Sequence, residues 1–154
     1  MYKKILVPLD GSELAECVLP HVESVAKGCG VEEVIFLRVH EPFHQFCDYD
    51  GCLSQETINS IDVDNKAAAE SYLSQLIKRT RYEGVSVKPE VITGTPGESI
   101  ADYATKNSMD LIAIATHGRS GISRWAWGSV ADQVLRSACV AVLMVRAPGC
   151  VPGI

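Results

Sequence analysis

The run Thr116-His-Gly-Arg-Ser-Gly-Ile-Ser-Arg-Trp-Ala-Trp-Gly-Ser129 holds the most concentrated candidate chemistry in the chain. It follows an apolar run and leads into a helix signal. Glycines leave backbone N–H groups approachable, and a helix N-terminus carries about half a positive charge, so such a link is suited to phosphate. Gly118 permits close backbone approach, Gly128 does the same beside Ser129, and Arg119 and Arg124 add positive charge. Two glycines alone also fit a tight turn between a strand and a helix.

Other signatures fail on spacing. No G-x-x-x-x-G-K-[ST] occurs, which excludes a P-loop. Gly28-Cys-Gly30 lacks a third glycine and follows a helical pattern, so it reads as a helix C-cap and not as a dinucleotide fingerprint. Gly118-Arg-Ser-Gly121 is not a nucleophile elbow, and no serine has an identifiable base partner. His117 has no evident partner and reads as a solvated loop residue.

A second cluster spans His40 to Cys52, with His44 and Cys47 between them and carboxylates interleaved. These are ligand types for zinc or copper, but the spacing matches no standard site, and a flap whose thiols fall close together is the competing reading. The remaining cysteines read as free thiols, Cys17 and Cys139 as core filling.

Alternating strand and helix signals must position these groups. Lys4 to Asp10 and Val34 to Val39 are short apolar runs that read as strands. Val85 to Ile92 alternates with period two around Pro89, which predicts an edge strand. Asp110 to Thr116 and Val140 to Val145 are continuous apolar runs, the pattern of buried parallel strands.

Between them, Leu14, Val18, Val22 and Val25 form one helical stripe in which Pro20 predicts a kink. Asn65 to Tyr82 has helix-forming composition. Thr95-Pro-Gly-Glu98 predicts an N-cap with a reciprocal glutamate, ahead of a helix through Asn107. Ser129 to Asp132 has the same spacing, with Val130, Val134, Leu135 and Ala138 as the buried stripe. The order βαβαβαβαβ predicts a single-domain, doubly wound five-stranded parallel α/β sheet with helices on both faces, over residues 1–147, with a loosely held tail at 148–154. Ligands bind such sheets beyond the carboxyl ends of the strands, which draws attention to Asp10-Gly-Ser12, Val39 to Leu53, Thr93 to Thr95 and Thr116 to Ser129.

The chain of 154 residues is 47% hydrophobic and 21% charged, with a net charge of −5. That balance disfavours nucleic acid and anionic membranes as partners. The apolar run behind Lys3 and Lys4 is too short for a signal-peptide core, and no stretch approaches the ~18 apolar residues of a membrane span, so a cytoplasmic location is expected. The hydrophobic last strand would expose an aggregation-prone edge unless it pairs, which predicts a homodimer through Val140 to Val145.

Four separated motifs carry a family resemblance. They are the opening Lys4-Ile-Leu-Val-Pro-Leu-Asp-Gly-Ser12; Gly94-x-Pro96 with Ile100 and Ala104; Asp110-Leu-Ile through Thr116-His-Gly-Arg-Ser-Gly121 to Gly128-Ser-Val-Ala131; and Val142-Leu-Met-Val-Arg146. From Tyr2 to Arg146 the chain resembles the universal stress protein family. The resemblance implies a Rossmann-like adenine-nucleotide-binding domain, commonly a homodimer, that takes ATP, ADP or AMP, with Mg2+ where ATP is bound, and serves stress survival and signalling. ATP-binding members carry G-x2-G-x9-G-[ST]. Here Gly118 and Gly128-Ser129 match, with Arg119 to Trp127 between them, while the first position is Ala115. By the same resemblance Asp10 would meet ribose hydroxyls and the Val39 backbone the adenine edge, and Pro8 and Leu9 would line the pocket. The phosphates would fall to Gly118, Arg119, Gly128, Ser129 and Val130, with Ala115 and His117 completing the nucleotide-binding set.

Asp10 alone also reads as a turn former. With no dedicated base in sight, binding is expected in preference to catalysis, and no catalytic residue is assigned. A slow ATPase or phosphotransfer enzyme is one rival reading. A dimeric stress or interaction protein that binds no nucleotide is the other.

Overall fold

The computed structural model describes residues 1–42, 54–116 and 128–146. Five strands, β1 (Lys4–Pro8), β2 (Glu33–His40), β3 (Ser86–Thr93), β4 (Leu111–Ala115) and β5 (Ala141–Val145), form one sheet in the order β3-β2-β1-β4-β5. Every pairing is parallel, with Pro8 beside Leu37, Ile5 beside Leu111, and Ala115 beside Val145. The order runs outward from β1 in both directions, so it reverses between β1 and β4.

Two apolar layers sandwich the sheet. On one face Ile5, Val7, Val34 and Phe36 pack against α2 (Leu19–Cys29) through Val22 and Ala26, and against α3 (Gln55–Arg79) through Leu73 and Leu76. On the other, Leu6, Leu37, Ile112 and Ile114 meet α4 (Pro96–Lys106) through Ile100 and Ala104, and α5 (Ser129–Ser137) through Ala131 and Val134. This is the doubly wound α/β sheet expected from the alternation of signals, with Pro89 on edge strand β3 and Gly30 closing α2 at a left-handed φ of 64°. The proline costs nothing at an edge position whose N–H need not enter a ladder.

Several local expectations are corrected. The stripe around Pro20 is not one kinked helix. It divides into α1 (Glu13–Glu16) and α2, with Pro20 in the first turn of α2, where its missing N–H is no loss. α3 starts at Gln55, ten residues ahead of the expected Asn65, because Ser54 caps it by accepting from the Thr57 N–H at 3.2 Å. It stops at Arg79, and Tyr82 turns into the core, edge-on to Phe36 at 6.5 Å, while its hydroxyl donates to the Leu19 carbonyl. Thr95 occupies the N-cap of α4 without a side-chain cap bond. Gly128, not Ser129, is the N-cap of α5. Leu135 is 48% exposed because the inward stripe of α5 runs through Ala131 and Val134. Cys139 is exposed and not core filling, while Cys17 is half-buried and burial raises its thiol pKa.

Candidate functional site

The reversal of strand order opens a cleft of about 230 Å³ above the carboxyl ends of β1 and β4. Pro8, Leu9 and Asp10 form one wall, and Ile114, Ala115 and Thr116 the other. Leu37 and Val39 of β2 meet Pro96 and Ile100 of α4 in an apolar slot, while Gly128, Ser129, Val130 and Ala131 bring the start of α5 to the rim. An apolar slot beside a carboxylate and a helix N-terminus can hold a flat ring, a polyol and an anion in sequence.

The carboxylate is fixed by its own turn. Asp10 Oδ1 accepts from the Ser12 N–H at 3.0 Å and from Ser12 Oγ at 2.6 Å. Ser12 Oγ in turn accepts from the Ala15 N–H at 3.2 Å, so one hydroxyl both caps α1 and orients Asp10. Gly11 carries the turn at a φ of 84°, which an L side chain would resist.

At the anion end, Thr116 is buried and joins two segments. Its N–H donates to the Val145 carbonyl at 2.8 Å, and its carbonyl accepts from the Gly128 N–H at 2.7 Å. The Gly128 amide is thereby engaged within the fold, which leaves Gly128 to serve by its lack of bulk. The first-turn amides of Ser129, Val130 and Ala131 come before the first bond of α5, from the Asp132 N–H to the Gly128 carbonyl at 2.9 Å. Helix-start amides of this kind have no intrahelical acceptor, and α5 has no side-chain cap bond. Ala115 ends β4, is buried against the cleft and takes no positive φ; among the described non-glycine residues only Ser108 does. The alanine methyl therefore causes no backbone strain there.

Pro8, Leu9, Asp10, Val39, Ala115, Gly128, Ser129 and Val130 are thus brought to one cleft. His117, Gly118 and Arg119 lie outside the described residues. Sequence reading did not place Leu37 or Ile114 at the site, since an apolar strand residue looks the same in a core and in a cleft; Thr116 and Ala131 were visible within motifs but not assigned as cleft lining. Pro96 and Ile100 were visible as a motif but not as cleft wall.

Of the histidine and cysteine cluster, His40 ends β2, and its Nε2 is 3.2 Å from Asp62 Oδ1 on α3, within ion-pair range if protonated but out of line for a hydrogen bond. His44, Cys47 and Cys52 lie outside the described residues, among which no three His, Cys, Asp or Glu side chains gather as a metal site. No described helix is long and apolar enough to cross a membrane.

A doubly wound α/β sheet with a cleft at its strand-order reversal, bordered by a carboxylate turn and a helix N-terminus, defines the class of open parallel-sheet proteins, in which ligands bind at that reversal. The model of the universal stress protein family matches residues 1–146, and the chain belongs to that family. It is 30% identical over 149 residues to universal stress protein MJ0531 of Methanocaldococcus jannaschii, a match covering 96% of this chain and 84% of that one. The solved structure of hypothetical protein MJ0577 superimposes with a TM-score of 0.81 at 29% identity, covering 97% of this chain and 99% of that one. Two more distant structures share the fold and were solved with nucleotides. A universal stress family protein of Arabidopsis thaliana has AMP bound (TM-score 0.65, 16% identity, 96% and 93% coverage). The universal stress protein of Archaeoglobus fulgidus is in complex with dAMP (TM-score 0.55, 24% identity, 93% and 97% coverage).

Proposed function

We propose that this protein is an adenine-nucleotide-binding stress-response and signalling module that acts as a homodimer and takes ATP, ADP or AMP. The observation that carries the reading is the cleft at the strand-order reversal, in which Asp10, Val39 and the start of α5 line one space. The adenine ring lies in the slot between Val39 and Ile100, with its edge toward the Val39 backbone. Ribose hydroxyls donate to Asp10. The phosphates meet the amides of Ser129 and Val130, close to Gly128. The AMP and dAMP of the two nucleotide-bound relatives support this choice of ligand.

Magnesium ordinarily keeps several waters and is held largely by phosphate oxygens. The hydroxyl of Ser129 is a described group at the anion end that could add a ligand to an ion arriving with ATP.

Dimerisation through β5 is supported by the geometry of that strand. The Val145 carbonyl accepts from Thr116, so the main-chain groups of Val145, and by alternation Leu143 and Ala141, point toward β4. Those of Val142 and Met144 point outward, a row of groups on the sheet edge with no backbone partner among the described residues. Pairing with a second copy about a two-fold axis would satisfy them.

Native mass spectrometry of freshly purified protein tests both parts. The expected species is a dimer carrying an adenine nucleotide. A protein that arrives empty and binds no added ATP or AMP by calorimetry would favour the interaction-protein reading instead.

A further inference from the structure

Successive side chains of β2 alternate between faces, with Leu37 and Val39 at the cleft and Phe36 in the layer beneath α2 and α3. Arg38 therefore stands on the side of the sheet away from the cleft. The last rung joining β1 to β2 on this side is the Leu9 N–H to the Leu37 carbonyl at 2.9 Å, and Asp10 and Gly11 lie beyond it. Arg38 reaches that overhang. A Cβ on Gly11 would collide with Arg38 Nη1 and stand 3.2 Å from its Cζ, so the guanidinium lies against the bare turn.

The guanidinium is itself held. Its Cζ is 5.7 Å from the centre of the Tyr72 ring on α3, a cation–π distance. The Tyr72 hydroxyl donates to Glu16 Oε1 at 3.0 Å, and Arg79 Nη2 donates to the same oxygen at 2.6 Å. Contacts thus run from the Gly11 turn through Arg38 and Tyr72 to Glu16 and Arg79, joining the loop that carries Asp10 to the outer helix. A planar, delocalised guanidinium suits this role, since it can lie on a ring and against a backbone at once, which an ammonium cannot.

We propose that Arg38 is a positioning residue for ribose recognition: packed under Gly11 and held by Tyr72, it sets the turn from which Asp10 meets the sugar. This rests on the adenine-nucleotide reading of the cleft. Arg38 touches no ligand itself, and its effect reaches the sugar but not the phosphates, which lie at α5 on the far side of the cleft.

The test is calorimetry with AMP and with 2′,3′-dideoxyadenosine monophosphate on the wild type, Arg38→Ala, Arg38→Lys and Tyr72→Phe, with thermal melts of each. The wild type is expected to prefer AMP by about tenfold or more, the usual worth of a hydrogen bond to a charged acceptor. Arg38→Ala should reduce that preference to about threefold or less while the dideoxy affinity stays within about threefold of wild type. Arg38→Lys and Tyr72→Phe should fall between, and they carry the comparison alone if Arg38→Ala does not fold. A purely structural residue would weaken both ligands together, so an unchanged preference in the folded variants overturns the proposal while leaving the nucleotide site intact. A wild type that binds neither ligand, or binds both equally, overturns the ribose reading and this proposal with it.

Discussion

Asp10→Asn is the sharpest probe of the cleft because it removes charge without removing shape. The amide oxygen can still accept from the Ser12 N–H and Oγ, at 3.0 and 2.6 Å in the wild type, so the turn and the α1 cap should persist. What changes is the acceptor offered to the sugar. A hydrogen bond to a charged group contributes about 1.5–3 kcal/mol and a neutral one about 0.5–1.5, a difference of about 1 kcal/mol, or roughly fivefold in Kd. A counter-effect exists, because losing a negative charge relieves repulsion from the phosphates. At about 10 Å in water that repulsion is about 0.4 kcal/mol per phosphate charge, or about 0.8 kcal/mol for the nearly dianionic phosphate of AMP, and screening over a Debye length of about 10 Å at moderate salt cuts it to about 0.3 kcal/mol, so it does not reverse the sign. Asp10→Ala removes the acceptor and the order of the turn together, and should cost about 2–3 kcal/mol, or roughly 30- to 150-fold. The assay is calorimetric titration with AMP at moderate salt, with a melting curve for each variant. An alanine variant that melts like a folded protein and binds AMP as tightly as wild type would refute the assignment of Asp10 to the ligand.

Three further outcomes follow from the geometry. Val142→Pro removes an amide that points away from β4, so the sheet should survive while pairing through β5 is lost; sedimentation should show a folded monomer, and an intact dimer would place the interface elsewhere. The Asp110 carboxylate accepts from the backbone N–H groups of Lys3 and Lys4, each at 2.8 Å, and these bonds hold its pKa below the ordinary carboxylate value. Its contribution is therefore complete above the unfolded-state pKa and lost as pH falls through the lower folded one. Asp110→Ala should cost about 1 kcal/mol near neutrality, since the site is solvent-screened, and the gap from wild type in denaturant melts should close under strongly acid conditions. Finally, Ala115→Gly should change nucleotide affinity by no more than about tenfold, because the methyl sits on ordinary strand backbone and can crowd only locally. Binding absent in the wild type and restored by glycine would show the site to be degraded at that position.

Which features were legible in sequence depends on how far apart their causes lie. Strand and helix identity follow from period and composition over a few residues, so all five strands, the edge position of β3 and the Gly30 terminus could be read directly. The family motifs likewise sit in contiguous stretches, which is why Asp10, Ala115 and Gly128 could be named before any geometry. Capping was less secure: Thr95 and Ser129 have the right types at the right spacing, yet the side chain of Thr95 makes no cap bond, and Gly128 takes the cap of α5 because Thr116 pulls its amide back toward β4.

Strand order was beyond local reading, because a βα alternation is compatible with several orders and the choice rests on how two apolar layers close over the sheet. That order alone brings the Asp10 turn beside the start of α5 and forms the cleft. The exposure of Leu135 and the burial of Tyr82 were decided in the same way, by which helix faces found a partner. Arg38 is the clearest case. In sequence it is one charge inside an apolar strand, and only the parallel pairing of β1 with β2, with α3 laid over that face, sets its guanidinium between Gly11 and Tyr72.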